Sequence, residues 1–287
     1  MKSSSRVDYP TASALCAAAH LALCASLGCK GQSSSPVLAG EPVAATTFEG
    51  GGKTDPSSAG LRSSDEGGPR DGSAAAHAPR WSADLGLGKL SDVPKVLDSA
   101  GDQAFGTLAR GGESAMPKTC REWAALHAGG YEPKNTLEAQ ADGGAKIRCG
   151  TLSWLEHATP ARASYLDGVR WDGSALAVLP AGLATAVSPE ERARATRATA
   201  AHQSLKDFEP KARAKKSSDG DGIEVREGAG STILVDEQAR ADVDGDGVED
   251  LVLAVTNAED QGSYFEIRLV LLTRRGPSGP LQLVRSQ

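Results

Sequence analysis

A chain of 287 residues with a formal net charge of -6 and 4% aromatic residues is long enough for one or two domains and for a sizeable core. The acid excess argues against a nucleic-acid partner, because a protein that neutralises phosphates displays a basic face. Lys215-Lys216 is too short a basic run to supply one.

Residues 1–29 resemble a bacterial secretion signal. Lys2 and Arg6 form a positive start, and Ala12 to Leu27 form a small, apolar stretch too short to span a bilayer. The run Ala25-Ser-Leu-Gly-Cys29 resembles a lipobox, which implies that Cys29 is lipidated and becomes the mature N-terminus. Lys30, rather than Asp, follows it, and in Gram-negative lipoproteins that implies the outer membrane; plain secretion is the alternative. Cys16 and Cys24 fall inside the signal as small hydrophobes. Residues 30–80 are dominated by Ser, Gly, Ala, Pro and Thr. Such a segment buries too little surface to offset its ordering entropy and reads as a flexible tether, with His77 incidental in it.

The remaining cysteines, Cys120 and Cys149, belong to no CxxC or His-spaced metal cluster. An even pair in an exported chain reads as a disulfide.

The expected fold class is α+β: a helix-rich, disulfide-linked segment over 81–210, then an antiparallel β segment over 211–287, with the two free to share one core. Apolar spacing after Ser91 predicts an amphipathic helix to Leu108, with Ser91 as N-cap, Pro94 in the first turn, and Gly111-Gly112 as its stop. Thr119-Cys-Arg-Glu122 has the capping-box pattern for a short helix ending at Gly129. Thr136 to Ala141 and Ala145 to Leu152 flank Asp142-Gly-Gly144, which predicts a hairpin with Cys149 on its second strand. Helical spacing resumes over Thr151 to His157, with Trp154 and Leu155 as core candidates. Ser188-Pro-Glu-Glu191 opens a helix expected to reach about Leu205; its Arg192, Arg194 and Arg197 read as a solvated face, or as an anion-binding one. Alternation then marks strands at Gly222 to Val225, Ser231 to Val235, Leu251 to Val255, Tyr264 to Thr273 and Leu281 to Val284.

One stretch carries dense chemistry. Asp242-Val-Asp-Gly-Asp-Gly-Val-Glu-Asp250 places four carboxylates, Asp242, Asp244, Asp246 and Asp250, within nine residues, with Val248 able to offer a backbone carbonyl. Like charges that close raise one another's pKa or demand a cation, and oxygen donors at alternate positions suit calcium. Gly245 and Gly247 supply the backbone freedom to curl round an ion. An EF-hand is excluded, because its twelfth position is Leu253 and the run after the loop reads as a buried strand. An acidic hairpin turn without an ion is the alternative. Asp219-Gly-Asp-Gly222 lacks further ligands and reads as a simple turn.

This motif resembles the calcium loops of FG-GAP and VCBS type repeats, found in integrin propellers and many secreted bacterial proteins. That resemblance, over about fifteen residues, implies a loop joining two antiparallel strands and an ion that stabilises the turn. A propeller needs several such repeats, and one is present. The C-terminal half also resembles uncharacterised bacterial lipoproteins, which brings no activity with it.

No nucleophile elbow, HExxH, P-loop or dinucleotide fingerprint is present. His127, His157 and His202 are scattered, and Trp81, Trp123, Trp154 and Trp171 read as core residues, or as a glycan-binding cluster if exposed. The sequence thus points to an exported, lipid-anchored envelope protein acting as a calcium-stabilised binding or structural module, with the membrane and an envelope protein or glycan as partners. The rival is a secreted metal-dependent hydrolase with dispersed active-site residues.

Overall fold

A computed structural model describes residues 76–100, 105–217 and 222–287. The signal-like segment, Cys29, the tether up to residue 75 and Asp219-Gly-Asp221 lie outside the described residues. The elements in chain order are β1 (Arg80–Trp81), α1 (Val93–Asp98), β2 (Leu108–Arg110), β3 (Glu113–Ala115), α2 (Cys120–Ala128), β4 (Glu132–Pro133), α3 (Thr136–Leu155), α4 (Pro189–Ala200), α5 (Leu205–Phe208), β5 (Arg213–Lys216), β6 (Gly222–Arg226), β7 (Ser231–Ala241), β8 (Asp250–Glu259), β9 (Phe265–Thr273) and β10 (Gln282–Ser286).

The five strands expected from alternation all form, and they assemble into an antiparallel sheet of order β10-β9-β8-β7-β6-β5, with β1 beside the far part of β7. β5, Arg-Ala-Lys-Lys, carries no apolar alternation and is held by pairing with β6. In β8 successive residues Leu251 to Leu253 are all fully buried, so both faces of the sheet are covered. On one face Leu251, Leu253, Val255, Ile233, Val235, Val270 and Leu272 meet Leu166, Leu176, Leu179, Leu183 and Leu205. On the other, Val252, Leu269 and Leu271 meet Leu97 of α1, Trp123 of α2 and Leu152, Trp154 and Leu155 of α3. Each fully buried leucine contributes about 1.5–3 kcal/mol. A bulge between Glu237 and Ala239 reverses the facing of β7, which moves Ala239 and Ala241 to the helical side. The α+β class expected from the sequence is therefore the fold, with helices of the first segment packed on the sheet of the second.

Three local expectations are corrected. The helix after Ser91 is six residues long, capped at Asp92 with Pro94 in its first turn. Gly111 and Gly112, at φ 56 and 95, form instead the two-residue turn between β2 and β3, where Arg110 faces Glu113.

The hairpin expected over 136–152 is replaced by α3, 20 residues long, started by Asn135, whose Oδ1 accepts from Glu138 N at 3.0 Å. Asp142-Gly-Gly144 sits inside this helix, and Cys149 is helical. The glycines serve packing: a Cβ on Gly143 would overlap Ile267 Cδ1, and one on Gly150 would lie 2.8 Å from Leu269 Cδ2. Each helical glycine costs roughly 0.5–1 kcal/mol relative to Ala, offset here by close approach of α3 to β9.

Third, α4 opens with the expected capping box of Ser188 and Glu191 but stops at Ala200. His202, at φ 53, reverses the chain, and Ser204 caps the separate turn α5.

The expected disulfide is formed. Cys120 in the first turn of α2 bonds Cys149 of α3, with Cα atoms 5.1 Å apart. Thr119 positions that turn by accepting from Glu122 N at 3.1 Å.

Candidate metal centre

The acidic loop joins β7 to β8, and the last ladder pair before it is Ala241 with Asp250. Gly245 and Gly247 stand at φ 82 and 87, a region closed to most side chains. The aspartates fold the loop by accepting from its backbone. Asp242 Oδ1 accepts from Gly245 N at 2.8 Å and Oδ2 from Gly247 N at 2.9 Å. Asp244 accepts from Asp246 N at 3.1 Å, and Asp246 from Val248 N at 2.8 Å. Asp250 Oδ2 accepts from Val243 N at 3.0 Å and, more weakly, from Asp244 N at 3.4 Å.

A second segment, 159–164, clasps the loop from outside. Thr159 exchanges backbone hydrogen bonds with Asp242, and its hydroxyl donates to Asp242 Oδ2 at 3.1 Å. Gly247 O accepts from Arg162 N and Ala163 N at 2.8 and 3.1 Å, and Glu249 N donates to Ala163 O at 2.8 Å. The Arg162 guanidinium lies so close over Gly247 that a Cβ there would overlap it. Thr159 is 83 residues from Asp242, so no local pattern could have revealed this partner.

Three of the five expected ligands converge. One carboxylate oxygen from each of Asp242, Asp244 and Asp250 lies within 4.8 Å of the others. Asp242 and Asp250 are 3% and 0% exposed, whereas Asp244 is exposed. Asp246 is exposed and outside this group, its carboxylate turned to Val248 N, and Val248 is half-buried.

Asp250 is the unusual member. Its Oδ1 is buried without a hydrogen-bond partner. Burial, with a smaller contribution from the Asp244 charge, pushes its pKa up to about 6 against the pull of the Val243 N–H and the Thr273 hydroxyl. That hydroxyl approaches without completing a hydrogen bond, since Thr273 Oγ1 is itself unpartnered. An unsatisfied buried polar group costs about 1–3 kcal/mol. A cation among the three carboxylates would offset their like charge, and an all-oxygen donor set suits a hard ion such as calcium or magnesium better than zinc.

The other polar clusters read as structural. Trp123 Nε1 and His127 Nε2 both meet Asp142 Oδ1 at 2.7 Å, tying α2 to α3. Arg194 pairs with Glu209 at 3.1 Å and stacks over Phe208. Of the tryptophans, Trp123 and Trp154 are buried and Trp81 and Trp171 half-buried. Among the described residues no helix is long and apolar enough to cross a membrane. Comparison with family models, with curated proteins and with solved structures gives no match, so a functional reading of this chain rests on its own residues.

Proposed function

We propose that this protein is exported and lipid-anchored in the cell envelope, and that its folded part is a calcium-stabilised binding or structural module. The observation that carries the ion is Asp250: a fully buried carboxylate with one oxygen unpartnered, facing two further carboxylates across a turn between paired strands. Resemblance of the loop to FG-GAP and VCBS calcium loops, which also join antiparallel strands, favours calcium over magnesium. The disulfide fits an oxidising compartment, and the signal-like segment with Cys29 supports the anchor.

The hydrolase reading would need a further His or carboxylate free to act beside the ion. The nearest in sequence, Glu249, is buried, accepts from Ser164 Oγ at 2.6 Å and faces Arg80 at 3.9 Å.

Calorimetric titration of the chelator-treated chain with calcium tests the ion: one equivalent should bind, and Asp242→Asn should lose it. No binding heat in the wild type at any temperature would remove the ion from the account. For the anchor, palmitate incorporation is expected in the wild type and not in Cys29→Ala; equal labelling of both would refute it.

A further inference from the structure

Strands β8 and β9 run from the acidic loop, where Leu251 pairs with Leu272, to the opposite end of the sheet, where Ala258 pairs with Phe265. The two ends are roughly 25 Å apart at the rise of a β-strand. A groove of about 750 Å³ opens between α4 and β9, reaching from Tyr264 and Phe265 at the end away from the loop to Leu283 of β10. Small-molecule sites occupy roughly 300–1,000 Å³ and combine apolar walls with a few placed polar groups.

The sequence of α4 makes the space. Its groove wall is Ala195, Thr196, Thr199 and Ala200, all short side chains. Across from it stands Phe265, which is 47% exposed at the rim, beside the half-buried Glu266 and Ile267. An exposed aromatic beside an apolar hollow marks a surface that gains by being covered.

One end of the groove is charged. Glu266 Oε2 is taken up within the protein, accepting from Tyr264 Oη at 2.8 Å and lying 3.3 Å from Arg268 Nε. Burial and the Glu266 carboxylate push the Tyr264 pKa up to about 12, so that hydroxyl stays protonated. The terminal nitrogens of Arg268 donate to Gly182 O and Leu183 O, both at 3.2 Å. Among the described residues Arg192 donates to the carbonyls of Ala186 and Val187 alone, at 3.4 and 3.0 Å. Among the described residues no carboxylate forms an ion pair with it. Two guanidiniums therefore line the groove with one carboxylate, and the unmatched charge sits on Arg192.

We infer that this groove binds a single-chain amphiphile with one carboxylate head, its tail along the alanine and threonine wall of α4 and its head on Arg192. A cationic head would be repelled there, and a neutral one would forgo the charge-assisted hydrogen bonds that a carboxylate gains. The site names a ligand class for the binding module yet stands apart from the ion reading: occupancy is expected equally in chelator and in calcium.

The test is calorimetric titration of the full chain with dodecanoate below its micellar concentration, with and without chelator. One molecule should bind saturably in both. Arg192→Gln should weaken binding about tenfold, the scale of one hydrogen bond to a charged group. Thr196→Trp, which fills the groove, should abolish binding with an unchanged melting curve, and Ala200→Phe blocks the same wall from a second position. Dodecyltrimethylammonium should bind less well than dodecanoate. The inference is overturned if the wild type shows no saturable binding, if the filled and charge-neutral variants bind as well as the wild type, or if the cationic amphiphile binds equally. A dimer that dodecanoate does not dissociate would assign the groove to a second copy of the chain and overturn it as well.

Discussion

On one face of the large sheet lie α1, α2 and α3, regular helices fastened to one another by Cys120–Cys149 and brought close to β9 by Gly143 and Gly150. On the other face lies the segment from Thr159 to Ala212, in which α4, α5 and two 3-10 turns, Gly173–Ala177 and Ala181–Leu183, are separated by irregular chain. It has no covalent staple. Buried polar anchors take that role: Asn257 Nδ2 donates to Leu183 O and Thr185 Oγ1, both at 3.1 Å, and Arg240 holds Glu237 while donating to Leu166 O at 3.3 Å. A helical layer satisfies its backbone internally and needs only apolar contact and a crosslink. An irregular layer leaves carbonyls unpaired, and sheet side chains must reach across to satisfy them. The floor of the groove beside α4 is built from such carbonyls, Gly182 O and Leu183 O accepting from Arg268, whereas the clasp on the acidic loop pairs backbone with backbone.

This contrast can be broken at either layer. The largest expected effect is loss of the crosslink. Replacing Cys120 and Cys149 together with Ala should lower stability by about 3–4 kcal/mol, from the loop-closure entropy of the unfolded chain. Amide exchange should then quicken in α2 and α3 and stay near wild type at Leu183 and Leu205; uniform quickening would mean that the layers are not separable. Next is Asn257→Ala, expected to lose about 2–3 kcal/mol by leaving Leu183 O and Arg268 short of partners, read from the denaturant midpoint. Gly143→Val should cost about 1–2 kcal/mol by forcing α3 off Ile267, and pairing it with Ile267→Val should recover part of the loss.

The smallest effect separates the ion loop from both layers. Without an ion, the folded state holds the Asp250 proton up to a pKa of about 6, whereas an unfolded aspartate releases it near pH 3.9. Between those values the native state binds more protons, so ion-free stability should fall as pH rises from about 4 to 6, by about 1–2 kcal/mol. Asp250→Asn should flatten that slope in thermal melts recorded with chelator.

How far the sequence could be read follows the same division. The acidic loop was legible because its turn is closed by its own residues: Asp242 caps Gly245 and Gly247 only three and five residues on. The N-cap at Thr119, the capping box at Ser188 and the alternating strands are local in the same way. Asp142-Gly-Gly144 misled because identical turn chemistry has a distant cause there. Its glycines answer to Ile267 and its aspartate to Trp123 and His127, and no window of sequence contains both ends of those contacts. Asp246 fits the ligand spacing but spends its carboxylate on Val248 N, while Thr159 and Thr273 enter the site from remote strands and loops that spacing cannot register.

The proposal at the centre of this account is that Asp242, Asp244 and Asp250, the first and last of them buried, hold calcium. Thermal unfolding of the full chain with excess calcium and with chelator tests it most directly. A ligand at about 100 times its dissociation constant adds about 2.7 kcal/mol, which for a domain of this size should raise the melting temperature by roughly 5–10 °C, and Asp250→Asn should remove the difference. Superimposable wild-type curves in calcium and in chelator would contradict the account.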